Sequence, residues 1–299
     1  MTFTGCGTAL VTPFRRDQSL DEETLRRLVR RQIDAGINFL VPCGTTGENP
    51  ALTRREHLRV VEIAVAEAKS SHVPVLAGAG GYNTAEVIEL AKEVEAVGAD
   101  GILSVAPYYN KPTQEGLYQH YKAIAGSVRL PVVIYNVPGR TGVNVEPATL
   151  NRLAAIDNIV GVKEASGNIG QIASILAQVP ERFSVLSGDD AITLPVIALG
   201  GRGLISVASN EIPAEMAQFV DAARRGDLVA ARQFMKKYLA LLEVNFVESN
   251  PIPVKAAMGL MGLLEPVWRL PLVPPKPENL ARIEKTLSAL GLTAAHAAR

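Results

Sequence analysis

Short apolar runs alternate with longer amphipathic stretches along most of this chain. The apolar runs are, in chain order, GTALVTPF, INFLVPCG, VPVLAGAG, DGILSVAP, LPVVIYNV, NIVGVKEA, RFSVLSGD and RGLISVAS. Each run has the length and composition of a buried strand, and the stretches between them have the period of a helix. Alternating strands and helices are typical of a parallel sheet, and eight such units predict a (β/α)8 TIM barrel of the α/β class. A doubly wound open sheet is the alternative architecture.

The amphipathic stretches carry signals for their own ends. They include DEETLRRLVRRQIDAG, TRREHLRVVEIAVAEAK, TAEVIELAKEVEAVG and QEGLYQHYKAIAGSV. Asp21, Thr53 and Thr84 are predicted N-caps, because each has a side-chain oxygen and is followed by glutamate within the first turn. Gly36 and Gly98 are predicted to end two of these helices.

The strand pattern ends near Asn210, and only helical patterns follow. We therefore predict a barrel catalytic domain over residues 1–225 and a small C-terminal helical extension over residues 226–292. Prolines punctuate the extension, for example in PLVPPKP. Residues 293–299 have nothing to pack against, so this tail is predicted to fray.

The composition argues against several classes of function. The 299 residues include 30 basic and 30 acidic side chains, so charge does not favour binding to nucleic acid or to an anionic membrane. No apolar run approaches the length of about 18 residues that a membrane span needs. The two cysteines form no CxxC pair, and MTFTGCGTAL has no secretory pattern, so a cytoplasmic protein is expected.

Polar side chains follow several of the predicted strands. In a parallel barrel the carboxyl ends of the strands share one face, where functional groups collect. The chain has no HExxH, GxGxxG or GxxxxGK[ST] motif and no histidine–cysteine cluster at metal spacing, so no metal site is predicted. The four histidines are predicted to be surface or packing residues. The polar strand-end residues are Thr12, residues 44–48, Tyr108, Tyr109, Asn110, Tyr135, Asn136, Lys163, Gly188, Asp189, Asp190 and Ser206.

Lys163 stands directly behind the β-branched residues of IVGVKEAS. A lysine there costs free energy to desolvate, unless it lies at an open end or acts in its neutral form. At a strand's carboxyl end it would project into the barrel mouth, where burial favours the neutral, nucleophilic amine. The alternative is a structural ion pair with Glu164 or with another glutamate.

Three further strand-end features have both a structural and a chemical interpretation. Tyr135 ends LPVVIYNV, where it is either a core aromatic or a phenol that transfers protons at the barrel mouth. The GTTGE turn is either an ordinary loop or a set of hydroxyl and backbone N–H groups that suits a small carboxylate. Arg140 in VPGRTG is either solvated or a bidentate ligand for a carboxylate.

Together these strings resemble the dihydrodipicolinate synthase (4-hydroxy-tetrahydrodipicolinate synthase) family. That family is part of the pyruvate-dependent Schiff-base aldolase superfamily, which includes N-acetylneuraminate lyase. The resemblance covers nearly the whole chain, from GTALVTPF through GTTGE, PYYNKP, YNVPGRTG, VKEASG and SGDD to GLISVASN. The lysine and GTTGE are shared across the superfamily. YNVPGRTG is more specific, because its arginine distinguishes the synthases from most lyases and sugar-acid aldolases.

The resemblance implies a reaction and a catalytic set. The reaction condenses pyruvate with L-aspartate 4-semialdehyde through a lysine Schiff base in the diaminopimelate and lysine pathway, without a metal or cofactor. Lys163 resembles the Schiff-base lysine. Tyr135 resembles the proton-shuttling tyrosine, linked through Thr45 to a Tyr109 that a neighbouring subunit supplies. Arg140 matches the arginine that orients this triad and receives the carboxylate of the second substrate.

The resemblance also implies binding residues and an assembly. The chain is expected to form a homo-oligomer, as a dimer of dimers. Thr45 and Thr46 match a carboxylate-binding turn, and Gly188 and Ile205 correspond to backbone positions that line the pocket. The implied substrate-binding residues are Thr45, Thr46, Arg140, Gly188 and Ile205.

Regulated members of the family bind lysine in a cleft at the dimer interface. Arg54 stands where a histidine is common and places a fixed positive charge near the ammonium groups of the ligand. Tyr82 adds bulk, whereas Glu86 could neutralise Arg54 or hold the ligand. We therefore predict weak or absent inhibition by lysine. The candidate regulatory residues are Asn49, His57, Tyr82, Glu86 and Tyr108.

Three other functions compete with the synthase. The nearest is a pyruvate-dependent aldolase or lyase acting on a 2-keto-3-deoxy sugar acid, and Arg140 counts against it. A catalytically silent sensor of pyruvate or an amino acid is disfavoured by a set of residues that occur together. They are Lys163, Tyr135, Thr45 and Tyr109. A phosphate-handling barrel isomerase is disfavoured because no glycine-rich phosphate turn other than LGGRG lies near the last two strands.

Overall fold

Eight parallel β-strands form a single sheet at the centre of the molecule. The computed structural model describes residues 2–294, so the end of the predicted tail, residues 295–299, lies outside the described residues. Each strand overlaps one of the apolar runs of the sequence. The strands are β1 (Gly5–Ala9), β2 (Phe39–Val41), β3 (Leu76–Gly78), β4 (Gly101–Val105), β5 (Val132–Asn136), β6 (Ile159–Glu164), β7 (Ser184–Ser187) and β8 (Gly203–Ser206).

The sheet closes into a barrel. The strand order is β2-β1-β8-β7-β6-β5-β4-β3, and a parallel bridge between Leu40 and Val75 joins its two ends. A doubly wound sheet would leave two free edges, so that alternative is wrong and the predicted TIM barrel is confirmed. Because every strand runs in the same direction, all the carboxyl ends meet at one mouth.

Helices cover the outside of the barrel. No helix in the described part of the chain is long and apolar enough to cross a membrane. Two short 3-10 turns, Asn49–Ala51 and Ala208–Asn210, follow β2 and β8. The helices are α1 (Glu22–Asp34), α2 (Arg54–Ala68), α3 (Thr84–Ala96), α4 (Gln114–Ala125), α5 (Pro138–Thr141), α6 (Pro147–Leu153), α7 (Ile169–Gln178), α8 (Thr193–Ala198), α9 (Pro213–Arg224), α10 (Leu228–Val244), α11 (Ile252–Leu260) and α12 (Pro277–Leu290).

Side-chain caps begin several of the outer helices. Asp21 caps α1, and Thr53 caps α2 through a capping box with Glu56, as the sequence predicted. The predicted cap at Thr84 is wrong by one residue, because the Asn83 side chain accepts the hydrogen bond from Ala85 N at 3.1 Å. Thr84 is the first residue inside the helix.

A packed apolar cluster fills the barrel interior. Phe3 lies before β1, so it is at the end of the barrel opposite the mouth, and its ring meets Phe39 edge to face at 5.4 Å. Tyr135 is the polar-tipped member of this cluster on β5. The barrel is therefore a solid core that supports the mouth from below. The cluster consists of Phe3, Ala9, Phe39, Val41, Leu76, Leu103, Val133, Tyr135, Val137, Leu186 and Ile205.

The C-terminal extension packs against the barrel beside its mouth. Val254 and Met258 of α11 share a buried cluster with Val11, which follows β1, and with Val207, which follows β8. From residue 211 to residue 294 the chain forms only helices and loops. The division into a domain over residues 1–225 and an extension over residues 226–292 stays a prediction.

Candidate active site

Lys163 is the penultimate residue of β6 and lies at the barrel mouth. It is 5% exposed, and its Nζ stands 4.3 Å from the centroid of the Tyr135 ring. The Glu164 carboxylate accepts instead from Asn136 Nδ2 at 2.9 Å and from the Ser166 backbone N–H at 2.7 Å, so the ion pair considered above is not formed. Within residues 2–294 the Lys163 amine has no hydrogen bond or salt bridge to another residue.

Tyr135 stands beside Lys163 on the neighbouring strand. The parallel register of β5 and β6 pairs these two residues directly, and Tyr135 is 6% exposed. Gly188, which follows β7, leaves space for the lysine stem. A Cβ at Gly188 would lie 2.6 Å from the Ala165 Cβ and 3.2 Å from the Lys163 Cε. The phenol and the amine are therefore held side by side where the packed interior ends.

The turn at residues 44–47 follows β2 and is braced by distant parts of the chain. The Thr12 hydroxyl donates to the Gly47 carbonyl oxygen at 2.7 Å. The Thr46 hydroxyl oxygen accepts a hydrogen bond from Asn250 Nδ2 at 3.0 Å, and Thr46 is 2% exposed. These contacts connect the turn to the end of β1 and to the segment before α11.

Arg140 lies on α5, a single turn of helix that follows β5. Its Nη2 donates to the Asn250 carbonyl oxygen at 3.3 Å, and the residue is otherwise exposed. A guanidinium has five N–H donors, so most of them stay available to a ligand. This arrangement suits recognition of a carboxylate that enters from solvent.

Two adjoining cavities open at the mouth, with volumes of about 120 Å³ for the inner one and 240 Å³ for the outer one. An amine, a phenol, two threonine hydroxyls and a guanidinium surround the inner cavity, and this set suits covalent capture of a small carbonyl compound that carries a carboxylate. The residues that line both cavities are Thr45, Tyr135, Val137 and Arg140. Those that line only the inner cavity are Thr46, Lys163, Ala165, Gly188, Asp189, Val207, Phe246 and Asn250.

Known proteins are similar to this chain over nearly its whole length. The model of the dihydrodipicolinate synthetase family matches residues 2–290. The 4-hydroxy-tetrahydrodipicolinate synthase of Koribacter versatilis is 56% identical over 293 residues, which cover 98% of this chain and 97% of that protein. The chain belongs to the dihydrodipicolinate synthetase family.

Solved structures of the family have the same fold. Dihydrodipicolinate synthase from Aquifex aeolicus is 44% identical with a TM-score of 0.95, covering 97% of this chain and 99% of that one. The chloride-inhibited enzyme from Acinetobacter baumannii, crystallised with pyruvate, is 42% identical with a TM-score of 0.95, covering 97% and 100%. The predicted activity is confirmed: the chain is a Schiff-base lyase of lysine biosynthesis with 4-hydroxy-tetrahydrodipicolinate synthase activity. The comparisons therefore favour the synthase over the alternative of an aldolase or lyase that acts on a sugar acid.

Tyr109 is the one predicted catalytic residue of this family member that the single chain leaves outside the site. It is 89% exposed and lines neither cavity. Its neighbour Tyr108 lines the outer cavity and packs edge to face on Tyr82 at 5.2 Å. Burial, together with Tyr82, raises the pKa of Tyr108. The other four predicted catalytic residues, Lys163, Tyr135, Thr45 and Arg140, all line the inner cavity.

Four of the five predicted substrate-binding residues line the inner cavity. Thr46 and Gly188 line the inner cavity, but Ile205 does not. Ile205 is 1% exposed and packs inside the barrel, and Val207, two residues later, contributes to the cavity wall instead. Within residues 2–294, no group of three or more histidine, cysteine, aspartate or glutamate side chains could hold a metal ion.

The candidate regulatory residues lie at and behind the wall of the outer cavity. Asn49 lines the cavity, and its Oδ1 is 2.7 Å from Nδ1 of His57. Burial lowers the pKa of His57 to about 4. Arg54 forms a salt bridge with Glu93 at 2.6 Å, so Glu93 rather than Glu86 is its acidic partner. The other alternative for Glu86, that it holds the ligand, stays a prediction. The salt bridge to Glu93 offsets the positive charge of Arg54 at the rim.

Residues of the C-terminal extension, which the sequence did not point to, complete the site. Phe246 and Asn250 line the inner cavity. Glu48, the last residue of GTTGE, is 2% exposed and forms a salt bridge at 2.5 Å with the fully buried Lys255 of α11. The sequence does contain one sign that Lys255 is buried, because this lysine lies inside the apolar run IPVKAAMGL. Lys163 was identified as a candidate by the same kind of pattern.

Proposed function

We propose that this synthase condenses pyruvate with L-aspartate 4-semialdehyde and that Lys163 is its nucleophile. The observation that carries this assignment is a buried amine beside Tyr135 in a cavity of about 120 Å³, with no acidic partner among residues 2–294. The crystal structure of the Acinetobacter baumannii relative in complex with pyruvate supports the choice of the first substrate.

In the first step, neutral Lys163 Nζ attacks the keto carbon of pyruvate. The resulting carbinolamine loses water and becomes an iminium ion. Tyr135 moves the protons on and off the departing oxygen, which its position beside the amine supports. The hydroxyls of Thr45 and Thr46 and the backbone N–H groups of their turn hold the carboxylate of pyruvate.

In the second step, the iminium ion accepts the electron pair left when a methyl proton departs, which gives an enamine. The enamine carbon then attacks the aldehyde carbon of the semialdehyde and forms the new carbon–carbon bond. Arg140 binds the carboxylate of this second substrate from the wall shared by the two cavities.

In the last step, the amine of the bound semialdehyde attacks the iminium carbon. The bond between that carbon and Lys163 Nζ breaks, the ring closes, and lysine is released as a free amine for the next turnover. Tyr135, Thr45 and Tyr109 form the proposed path for the protons that these steps exchange with solvent.

Substitution of Lys163 tests this assignment. We expect Lys163→Ala to keep the fold, because a methyl group replaces a buried amine without leaving a charge, and to lose synthase activity by more than about a thousandfold. The matched control is Lys285→Ala, which removes an exposed lysine from α12. Formation of the cyclic product from pyruvate and the semialdehyde is the measurement, and near-parental activity of the Lys163 variant would refute the assignment.

We propose that the active form is a homo-oligomer, arranged as a dimer of dimers. Tyr109 supports this proposal, because it is 89% exposed and lies outside the active site of its own chain. Its backbone is in the left-handed conformation, with φ of 68°. Crossing of Tyr109 into the site of a partner would complete the proton path there. The two free, buried cysteines, Cys6 and Cys43, and the zero net charge support a cytoplasmic protein that binds neither nucleic acid nor membranes.

We propose that lysine inhibits this enzyme weakly or not at all. Tyr82 packs on Tyr108 and adds bulk where the ligand would bind. The charge of Arg54 contributes less, because Glu93 pairs with it at 2.6 Å. Because millimolar binding amounts to only about −4 kcal/mol, one or two lost polar contacts abolish it. A steady-state titration with L-lysine is the test, and strong inhibition well below a millimolar would contradict the proposal.

A further inference from the structure

A buried charge pair lies at the active-site turn. Glu48 and Lys255 are 2% and 0% exposed, and their side chains approach to 2.5 Å. Neither residue lines the inner cavity, so neither touches the reacting atoms. Lys255 belongs to the C-terminal extension and Glu48 to the GTTGE turn, which places the pair at the junction between the two.

The turn that Glu48 ends has a strained backbone. Cys43 and Glu48, which flank residues 44–47, adopt the left-handed conformation with φ values of 57° and 52°. This conformation is unfavourable for residues other than glycine, and it persists only where surrounding contacts impose it. The shape of the carboxylate-binding turn therefore depends on contacts from outside the turn.

Lys255 supplies such contacts at the C-terminal end of the turn, one directly and one through Thr12. Its Nζ donates to the Glu48 carboxylate and, at 3.0 Å, to the Thr12 carbonyl oxygen. The Thr12 hydroxyl in turn donates to the Gly47 carbonyl oxygen at 2.7 Å. The second Glu48 oxygen accepts from the Arg269 backbone N–H at 3.2 Å. One ammonium group thus connects the C-terminal end of the turn, at Gly47 and Glu48, with the segment that follows β1.

We propose that Glu48 and Lys255 are positioning residues that hold Thr45 and Thr46 in the geometry that binds the pyruvate carboxylate. This inference rests on the proposed function, since it assigns pyruvate to that turn. The pair acts on pyruvate affinity, whereas the semialdehyde meets Arg140 on another wall of the cavity. Capture of pyruvate on Lys163 should therefore weaken when the pair is removed, and the semialdehyde KM should change little.

A double substitution separates positioning from stability. Breaking one partner of a buried ion pair leaves an uncompensated charge and destabilises the fold, whereas replacing both partners with neutral side chains of similar shape is often neutral or stabilising. Glu48→Gln and Lys255→Met are such replacements. We expect each single variant to lower Tm, and the double variant to recover most of that loss.

The decisive readout is the pyruvate concentration that gives half-maximal borohydride-trapped adduct. We expect it to rise about tenfold in the double variant, as after the loss of about one hydrogen bond to a charged group. The matched control is Glu67→Gln, which breaks the salt bridges of Glu67 to Arg26 and Arg30 between α1 and α2, far from the site. This control should leave the half-maximal pyruvate concentration at the parental value.

Thr12→Val provides a second test that leaves both charges in place. It removes the hydroxyl that donates to Gly47 and should raise the half-maximal pyruvate concentration several-fold with little change in the semialdehyde KM. A double variant that recovers Tm and also captures pyruvate like the parent would overturn the inference, as would parental pyruvate capture by Thr12→Val. Absence of a trapped adduct in the parent chain would instead refute the proposed function.

Discussion

The two buried lysines of residues 2–294 differ in what surrounds them. Burial lowers the pKa of Lys255, and Glu48 opposes that shift, so its charge is retained as part of a structural pair. Lys163 is nearly as buried but faces the ring of Tyr135 and has no carboxylate partner among the described residues. An amine that is not engaged in an ion pair stays free to attack a carbonyl carbon. The neighbouring groups, rather than burial alone, therefore distinguish the reactive Lys163 from the structural Lys255.

Arg140 provides a prediction about the second substrate. We expect Arg140→Ala to raise the semialdehyde KM and lower kcat, while the pyruvate adduct on Lys163 still forms. A lost hydrogen bond to a carboxylate is worth about 1.5–3 kcal/mol, which corresponds to a reduction of about 10- to 150-fold in kcat/KM. Steady-state kinetics with Arg152→Ala as the control is the measurement, because Arg152 contacts Glu115 on the outer surface. Unchanged kinetics would mean that Arg140 is only a solvated loop residue.

Single residues differ in how far the sequence could reveal them. Lys163 was recognisable because its strand is a short continuous apolar run. Lys255 also lies in an apolar segment, but its partner Glu48 is 207 positions away in the chain. Such a long-range pair has no local pattern, so the sequence left its role unrecognised. Ile205 was placed at the pocket by resemblance alone, as a backbone position. Its side chain packs in the barrel interior, and the role of its backbone in binding stays a prediction.

At the scale of elements, periodicity predicted the strands and the long helices. The helices α5, α6 and α8 have only 4, 7 and 6 residues, so none of them is long enough to display a clear helical period. The cap of α3 was misplaced because Asn83 and Thr84 are adjacent and both can accept a hydrogen bond from the first turn. Boundary errors of this kind do not affect the order of the elements.

A prediction on the pH dependence of stability comes from Glu211. This residue lies in the turn before α9, where α1 and the end of α10 meet it. Burial raises the pKa of Glu211 to about 8, although the hydrogen bond from Asn245 opposes the shift. Arg31 holds this segment through the backbone carbonyl oxygens of Asn210 and Glu211. Between about pH 4.5 and 8 the folded state keeps a proton that the unfolded state has released, so stability falls as the pH rises.

Glu211→Gln should remove this contribution, which is at most about 1.4 kcal/mol per pH unit. We expect the variant to lose less free energy of unfolding than the parent between pH 5 and pH 8, because the neutral amide cannot ionise. Urea denaturation across this range is the measurement. The control Glu115→Gln concerns an exposed carboxyl whose pKa is lowered, so it should keep the parental slope. Equal slopes in the parent and the Glu211 variant would contradict the prediction.

At the scale of the whole molecule, the closed barrel was predictable and the attachment of the extension was not. Eight strand–helix units specify the barrel, because parallel strands joined by outer helices must bury both faces of the sheet. The contacts of Asn250 with Thr46 and with Arg140 connect segments more than 100 residues apart. These contacts exist only in the folded chain, and they make the extension part of the active site.

The placement of Tyr109 gives a prediction about assembly. If Tyr109 crosses into the site of a partner, a hybrid dimer of Tyr109→Phe and Lys163→Ala subunits has one site with both lesions and one with neither. We expect mixed subunits to regain synthase activity that neither parent variant has alone. Hybrids can be isolated with two different affinity tags and assayed directly. Isolated hybrids without activity would count against crossing.

Covalent capture of pyruvate as a Schiff base on Lys163 is the step on which the proposed function depends. Reduction with borohydride in the presence of pyruvate, followed by peptide mass mapping, tests both the adduct and its position. We expect a single reduced adduct on the peptide that contains Lys163, and none in Lys163→Ala. An adduct on another lysine, such as Lys111 or Lys255, or an enzyme that turns over without any trappable adduct, would contradict it.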